Sequence, residues 1–131
     1  MRPIKFRGKD RYGEIWHYSS LFVNEIFGHT HICAPSLGYM EVVPENVGQF
    51  TGLYDCDGNE IYEGDIVKWE KDGLMYVVRF WRGMFFASVQ ECNEGILGGF
   101  PLHALTEYEY KKCKIVGNIY DNPELLKGGE G

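Results

Sequence analysis

Short apolar runs, alternating with polar residues at every second position and broken by glycine-containing turns, make up most of this chain. Residues 3–7, Pro3-Ile4-Lys5-Phe6-Arg7, alternate apolar and basic side chains, the period-two mark of a half-buried strand. A turn-rich stretch follows over residues 8–13. Residues 14–23 carry Ile15, Trp16, Tyr18, Leu21, Phe22 and Val23 and predict a second strand, bent at Ser19-Ser20. Between residues 24 and 46, Gly28, Pro35, Gly38 and Pro44 interrupt the pattern, with short strands expected over 31–33 and 39–43. No sustained 3.6-residue stripe occurs, so no long helix is predicted.

The middle of the chain is more explicit. Strands over 49–53 and 60–62 flank Asp55-Cys56-Asp57-Gly58-Asn59. Asp-Gly between two β-prone runs signals a hairpin, because glycine accepts the positive φ that a tight turn needs. A strand over 65–70 and a turn at Lys71-Asp72-Gly73 lead into residues 74–81, apolar on both faces apart from Arg79. That strand is expected to be central and covered on both sides. Arg82-Gly83 turns the chain into a strand over 84–90, and residues 93–99 read as a glycine-rich loop. Residues 102–110 fit a short helix or a strand equally well. A last strand is expected over 114–120, followed by one helical turn over 124–127 with Asn122 as its cap and Pro123 at its first position. Residues 128–131 are expected to be a flexible tail.

Composition supports this pattern. The 131 residues include 17 Gly, 9 Tyr and 8 Phe, and 44% are hydrophobic, which excludes a disordered chain and favours strands over helices. The fold class is therefore all-β, mainly antiparallel, with at most short helical turns. A chain this long buries about two-thirds of its extended surface, enough for one core without staples. One domain over residues 1–127 is expected.

Thirteen basic against nineteen acidic residues give a net charge of −6, which disfavours a general nucleic-acid binder. The charge is uneven. Residues 1–11 hold Arg2, Lys5, Arg7, Lys9 and Arg11 against Asp10, whereas residues 41–65 hold seven acidic residues and no Lys or Arg. Either the two stretches neutralise each other or they form separate patches. The basic N-terminus has no apolar run behind it, so a signal peptide is not expected, and no apolar stretch is long enough to span a bilayer. A cytoplasmic protein with Cys33, Cys56, Cys92 and Cys113 reduced is the expectation.

Candidate chemistry is sparse. His29, His31 and Cys33 stand at alternate positions, where a strand would turn them to one face, but no fourth zinc ligand and no Cys-x-x-Cys pair accompany them. No metal and no cofactor are therefore expected. Asp55-Cys56-Asp57-Gly58-Asn59-Glu60 has its glycine at the fourth position, not the sixth, and so does not meet the calcium-loop pattern. No serine lies in a Gly-x-Ser-x-Gly context, and no phosphate-cradling glycine loop is present. No catalytic residue is assigned. The remaining candidates are basic and aromatic side chains that would make a binding surface: Lys5, Arg7, Arg79, Trp81 and Arg82.

Three stretches carry a family resemblance: Val47-Gly48-Gln49-Phe50-Thr51-Gly52-Leu53, Asp57-Gly58-Asn59-Glu60-Ile61-Tyr62-Glu63-Gly64-Asp65-Ile66-Val67, and Val116-Gly117-Asn118-Ile119-Tyr120-Asp121-Asn122-Pro123-Glu124-Leu125-Leu126. With the opening Ile4-Lys5-Phe6-Arg7, they resemble the YopX-like family of small bacteriophage and prophage proteins. The chain departs from that family's usual start after Arg7, where Gly8-Lys9-Asp10 follows in place of an aromatic residue. The resemblance implies an irregular β fold of bent and coiled sheets and a phage-encoded origin, and it brings no reaction and no catalytic residues. The expected role is a non-enzymatic accessory protein that binds another protein or a copy of itself. A nucleic-acid-associated β module is the first alternative, and a small hydrolase or metal protein the second.

Overall fold

Alternation of buried and exposed positions is what builds this protein. In the computed structural model, residues 4–11, 14–19, 22–26, 29–34, 38–70, 72–92, 95–106 and 112–128 are described. The elements among them are almost all strands, joined by short turns, and every pairing between them is antiparallel. The all-β class follows directly. The chain divides into two compact units, Met1–Gly52 and Leu53–Gly131.

The first unit contains β1 (Phe6–Lys9), β2 (Trp16–Ser19), β3 (Phe22–Ile26), β4 (His29–Ala34) and β5 (Gly38–Glu41), then a 3-10 turn at Pro44–Asn46. β1 pairs with β2 on one side and with the start of β6 (Gly48–Tyr54) on the other. β3, β4 and β5 form a three-stranded sheet in that order. The sequence predicts a single bent strand over 14–23, whereas β2 ends at Ser19 and β3 starts at Phe22. The alternation in β1 also runs opposite to expectation: Ile4 is 59% exposed and Arg7 only 5%. The Arg7 guanidinium lies over the Trp16 ring, 4.7 Å from its centroid, which lets a cation occupy the inner face.

In the second unit a five-stranded sheet runs in the order β11 (Gly95–Pro101), β10 (Met84–Cys92), β9 (Met75–Trp81), β8 (Asp65–Trp69), β12 (Cys113–Asn118). Its core takes every second residue of the inner strands: Val67 and Trp69, Tyr76 and Val78, Phe85 and Ala87, joined by Ile61, Leu102 and Cys113. Each large apolar side chain fully buried in this way stabilises the fold by roughly 1.5–3 kcal/mol. Trp69, Tyr76 and Phe100 pack edge-on or tilted, with ring centroids 5.2–6.2 Å apart. β9 is central, as its composition predicts. Tyr76, Val77 and Val78 are consecutive and buried, so both of its faces are covered there, but Phe80 at its far end is 50% exposed.

Two expectations fail here for identifiable reasons. Residues 95–101 form a strand, β11, and not a glycine-rich loop. A Cβ on Gly99 would collide with the Ala87 carbonyl oxygen, so glycine is what lets β11 approach β10. Asn122 does not cap the following helix α2 (Glu124–Gly128) with its side chain. Its Oδ1 instead accepts the Asn118 N–H at 3.2 Å and closes the turn after β12. Of the undecided stretch 102–110, residues 103–106 form a single helical turn, α1 (His103–Thr106), and 107–110 lie outside the described residues. Leu126, in α2, is 38% exposed.

The end of β6 and β7 (Glu60–Tyr62) are joined by the predicted hairpin turn, in which Asp55 N–H donates to the Asn59 carbonyl at 2.9 Å. Gly58 has φ 84, and a Cβ there would meet no atom within 4 Å. The cost of substitution is therefore backbone strain alone. Gly58→Val should lose about 1 kcal/mol or more of unfolding free energy, clearly more than Asn59→Ala in the same exposed loop, as read by thermal unfolding of the two variants.

Candidate functional site

The second unit's candidate residues converge on the β9–β10 hairpin. Met84 pairs with Trp81 and Phe85 with Phe80, leaving Arg82-Gly83 as a two-residue loop. Arg82 has φ 51 and Gly83 φ 82, the doubly positive signature of a type I′ turn, whose twist matches that of the strands. Strand alternation puts Arg79, Trp81, Met84 and Phe86 on one face and Phe80 and Phe85 on the other. Trp81 packs against Phe86 at 5.8 Å between centroids, and the Arg82 guanidinium lies 4.8 Å from the centre of the Trp81 ring. Phe80 meets the buried Phe85 edge-on at 4.9 Å. The tip is therefore held by ring packing, yet Phe80 remains 50% and Met84 42% exposed. Arg79 lies lower on the strand, half-buried beside Glu63. Burial pushes the Glu63 carboxyl above its usual range, while Arg79 and the Phe80 N–H pull it down.

The other two candidates, Lys5 and Arg7, belong to the first unit. Lys5 Nζ sits 5.2 Å from the centre of the Phe50 ring, and Arg7 is buried on Trp16. Both cations cover rings, and Arg7 offers no surface. Sequence reasoning also missed the pair beside them. His17 Nε2 lies 3.1 Å from Asp10 Oδ2, and both residues are only 9% exposed. His17 stands between Trp16 and Tyr18 in β2 and is the buried residue of that strand, and nothing in the sequence marked it or matched it to Asp10.

His29, His31 and Cys33 do lie at alternate positions of one strand, β4. His29 Nδ1 is 2.9 Å from Glu41 Oε2, and the same oxygen receives Arg11 Nε at 3.0 Å. His31 Nδ1 donates to the His29 carbonyl at 3.2 Å. No group of three metal-ligating side chains occurs among the described residues. The Arg11–Glu41 pair joins one cation of the basic stretch to one carboxylate of the acidic stretch.

Much of the remaining acidic stretch is structural. Asp65 Oδ2 accepts the Tyr62 N–H at 2.7 Å. Asp55 does more. Its Oδ1 accepts the N–H groups of Asp57 and Asn59 at 3.0 and 2.9 Å, and its Oδ2 accepts that of Ile115 at 3.1 Å. The same hairpin turn gives the Cys56 N–H to the Cys113 carbonyl at 2.8 Å. The turn thus covers hydrogen-bonding groups on the outer edge of β12, which would otherwise be open to another strand. The carboxylate that superficially suits a calcium loop is already saturated by backbone donors.

A family model described as YopX protein matches residues 5–127. The chain belongs to the YopX family. It is also similar to a solved structure titled crystal structure of protein EF1440 from Enterococcus faecalis, with a TM-score of 0.52 and 22% identity, over 94% of this chain and 97% of that one. At that identity the likeness supports the fold alone. No curated protein matches the chain. Among the described residues of this YopX-family protein, no helix is long and apolar enough to cross a membrane.

The Asp55 clamp has a pH signature. Burial alone would raise its pKa, but the N–H groups of Ile115, Asn59 and Asp57 outweigh burial and hold the carboxyl below 3.8. A lowered folded-state pKa adds stability that is present above the unfolded value and is lost as pH falls through the folded one. Asp55→Asn should therefore cost roughly 1.5–3 kcal/mol at neutral pH, the contribution of a hydrogen bond to a charged group. The gap from wild type should narrow as the pH falls below 3.8. Urea unfolding of both proteins across that range checks it.

Proposed function

We propose that this YopX-family protein is a non-enzymatic binding module whose contact element is the tip of the β9–β10 hairpin, and that its partner is another protein or a second copy of the chain. The observation that carries this reading is the exposure of Phe80 and Met84, 50% and 42%, beside the Arg82–Trp81 stack on a well-braced turn. Exposed apolar groups on the two faces of one hairpin tip, with a planar cation at its turn, resemble the anchors of protein interfaces, where aromatic residues, Met and Arg are enriched. The phage or prophage setting implied by the family resemblance, and a cytoplasmic location, complete the reading.

A nucleic-acid contact is the second reading, favoured by the same guanidinium-on-indole stack, which suits base stacking. The net charge of −6 weighs against it.

Arg82 separates binding from folding. Its φ of 51 is one that Asn tolerates better, and Asn-Gly is the preferred type I′ pair. Arg82→Asn should leave thermal stability equal or raise it by up to about 1 kcal/mol. The same substitution should weaken self-association measured by light scattering, or the capture of a protein partner by the immobilised chain, and so should Phe80→Ser. Equal association by all three proteins would overturn the reading. Salt-sensitive binding of single-stranded nucleic acid, lost in Arg82→Asn, would establish the second reading instead.

A further inference from the structure

The contact between the hairpin turn and β12 brings two cysteines together, and nothing in the binding reading uses them. Cys56 follows Asp55 in the turn and is exposed, whereas Cys113 begins β12 and is 1% exposed. The Cys56 N–H donates to the Cys113 carbonyl at 2.8 Å. Standard bond lengths on either side of an N–H···O contact of 2.8 Å leave the two Cα atoms about 5–6 Å apart. That separation falls inside the range of about 4.4–6.8 Å that a disulfide spans. Both residues are free thiols in this structure. The Ile115 N–H bond to Asp55, two residues along β12, holds the same two segments in register.

We propose that Cys56 and Cys113 are a redox-active pair that closes to an intrachain disulfide, fastening the 55–59 turn to the edge strand β12. The exposed thiol acts first. Cys56 loses its proton to solvent, and its thiolate attacks one sulfur of a small-molecule disulfide, whose S–S bond breaks to release one thiolate. Cys113 then loses its proton and attacks the Cys56 sulfur, releasing the second small thiolate. Two protein thiols are oxidised by two electrons, and one small disulfide is reduced to two thiols.

The surroundings fit a pair that is slow to form. Burial and the charges of Asp57 and Asp55 raise the Cys56 thiol above 9.0, with Lys114 opposing them. Burial, then Asp55, Cys56 and Asp65, push Cys113 up to about 12. Thiols this basic are weakly populated as thiolates at neutral pH, and they are also poor leaving groups, so the bridge once made resists reduction.

The test is oxidation of the native protein by oxidised glutathione at mildly alkaline pH, followed by alkylation in denaturant and peptide mapping. The expected product is a single chain, two hydrogens lighter, with the peptides containing Cys56 and Cys113 joined and with a thermal midpoint above that of the reduced protein. Cys56→Ser, an exposed substitution that leaves the core intact, should abolish both the link and the shift in midpoint. The proposal is overturned if Cys113 remains open to alkylation after prolonged oxidation. It is overturned equally if Cys56 is found joined to Cys33, to Cys92 or to a second chain.

Discussion

One carboxylate organises the second unit. Asp55 receives three backbone N–H groups, two from its own turn and one from Ile115, sixty residues further along the chain. Short-range and long-range structure are thereby tied at a single side chain. The two local bonds shape the turn that reverses β6 into β7. The distant bond, with the Cys56-to-Cys113 bond beside it, places that turn against β12. An edge strand in an all-β protein needs such cover, because bare N–H and C=O groups recruit other strands. Replacing Asp55 by an apolar residue would leave those donors buried without acceptors, a larger loss than any one bond adds.

The same region joins two of the three stretches by which the chain resembles its family. β8 pairs with β12 from Asp65 to Trp69, and the Ile119 N–H donates to the Gly64 carbonyl at 2.9 Å. Asn118 accepts the N–H groups of Tyr120 and Asp121, and Asn122 in turn accepts that of Asn118, so the chain leaving β12 is closed by side-chain acceptors. The described turns at residues 55–59, 62–65, 72–74 and 118–122 are fastened by Asp and Asn oxygens. The β9–β10 hairpin is different in kind. Its tip is held by ring packing and a type I′ loop, and it leaves apolar surface in water. That contrast is why the tip, and not the acidic turns, serves as the proposed contact element.

What was legible in the sequence was whatever local physics decides. Apolar runs and the turn residues between them placed β8, β9, β10 and β12 to within a few residues, and Asp57-Gly58 and Arg82-Gly83 marked real turns. Misreadings arose where tertiary contact overrides local preference. Gly98-Gly99 looks like a loop in isolation, yet it is a strand because the neighbouring Ala87 carbonyl leaves no room for a Cβ. Arg7 looks like a surface cation until Trp16 is set beneath it. Of the five candidate binding residues, Trp81 and Arg82 come together at one tip because two residues adjacent in a hairpin cannot do otherwise. The pairing of Asp55 with Ile115, and of Cys56 with Cys113, depends on strand order, which alternation does not encode.

The Asp55 clamp makes the central claim directly measurable by following the backbone amide resonances of Asp57, Asn59 and Ile115 through an acid titration. The account predicts that all three amides shift together with one shared midpoint below 3.8, because all three donate to the same carboxylate. An Ile115 amide that stays still while the other two move, or a shared midpoint above 3.8, would contradict it.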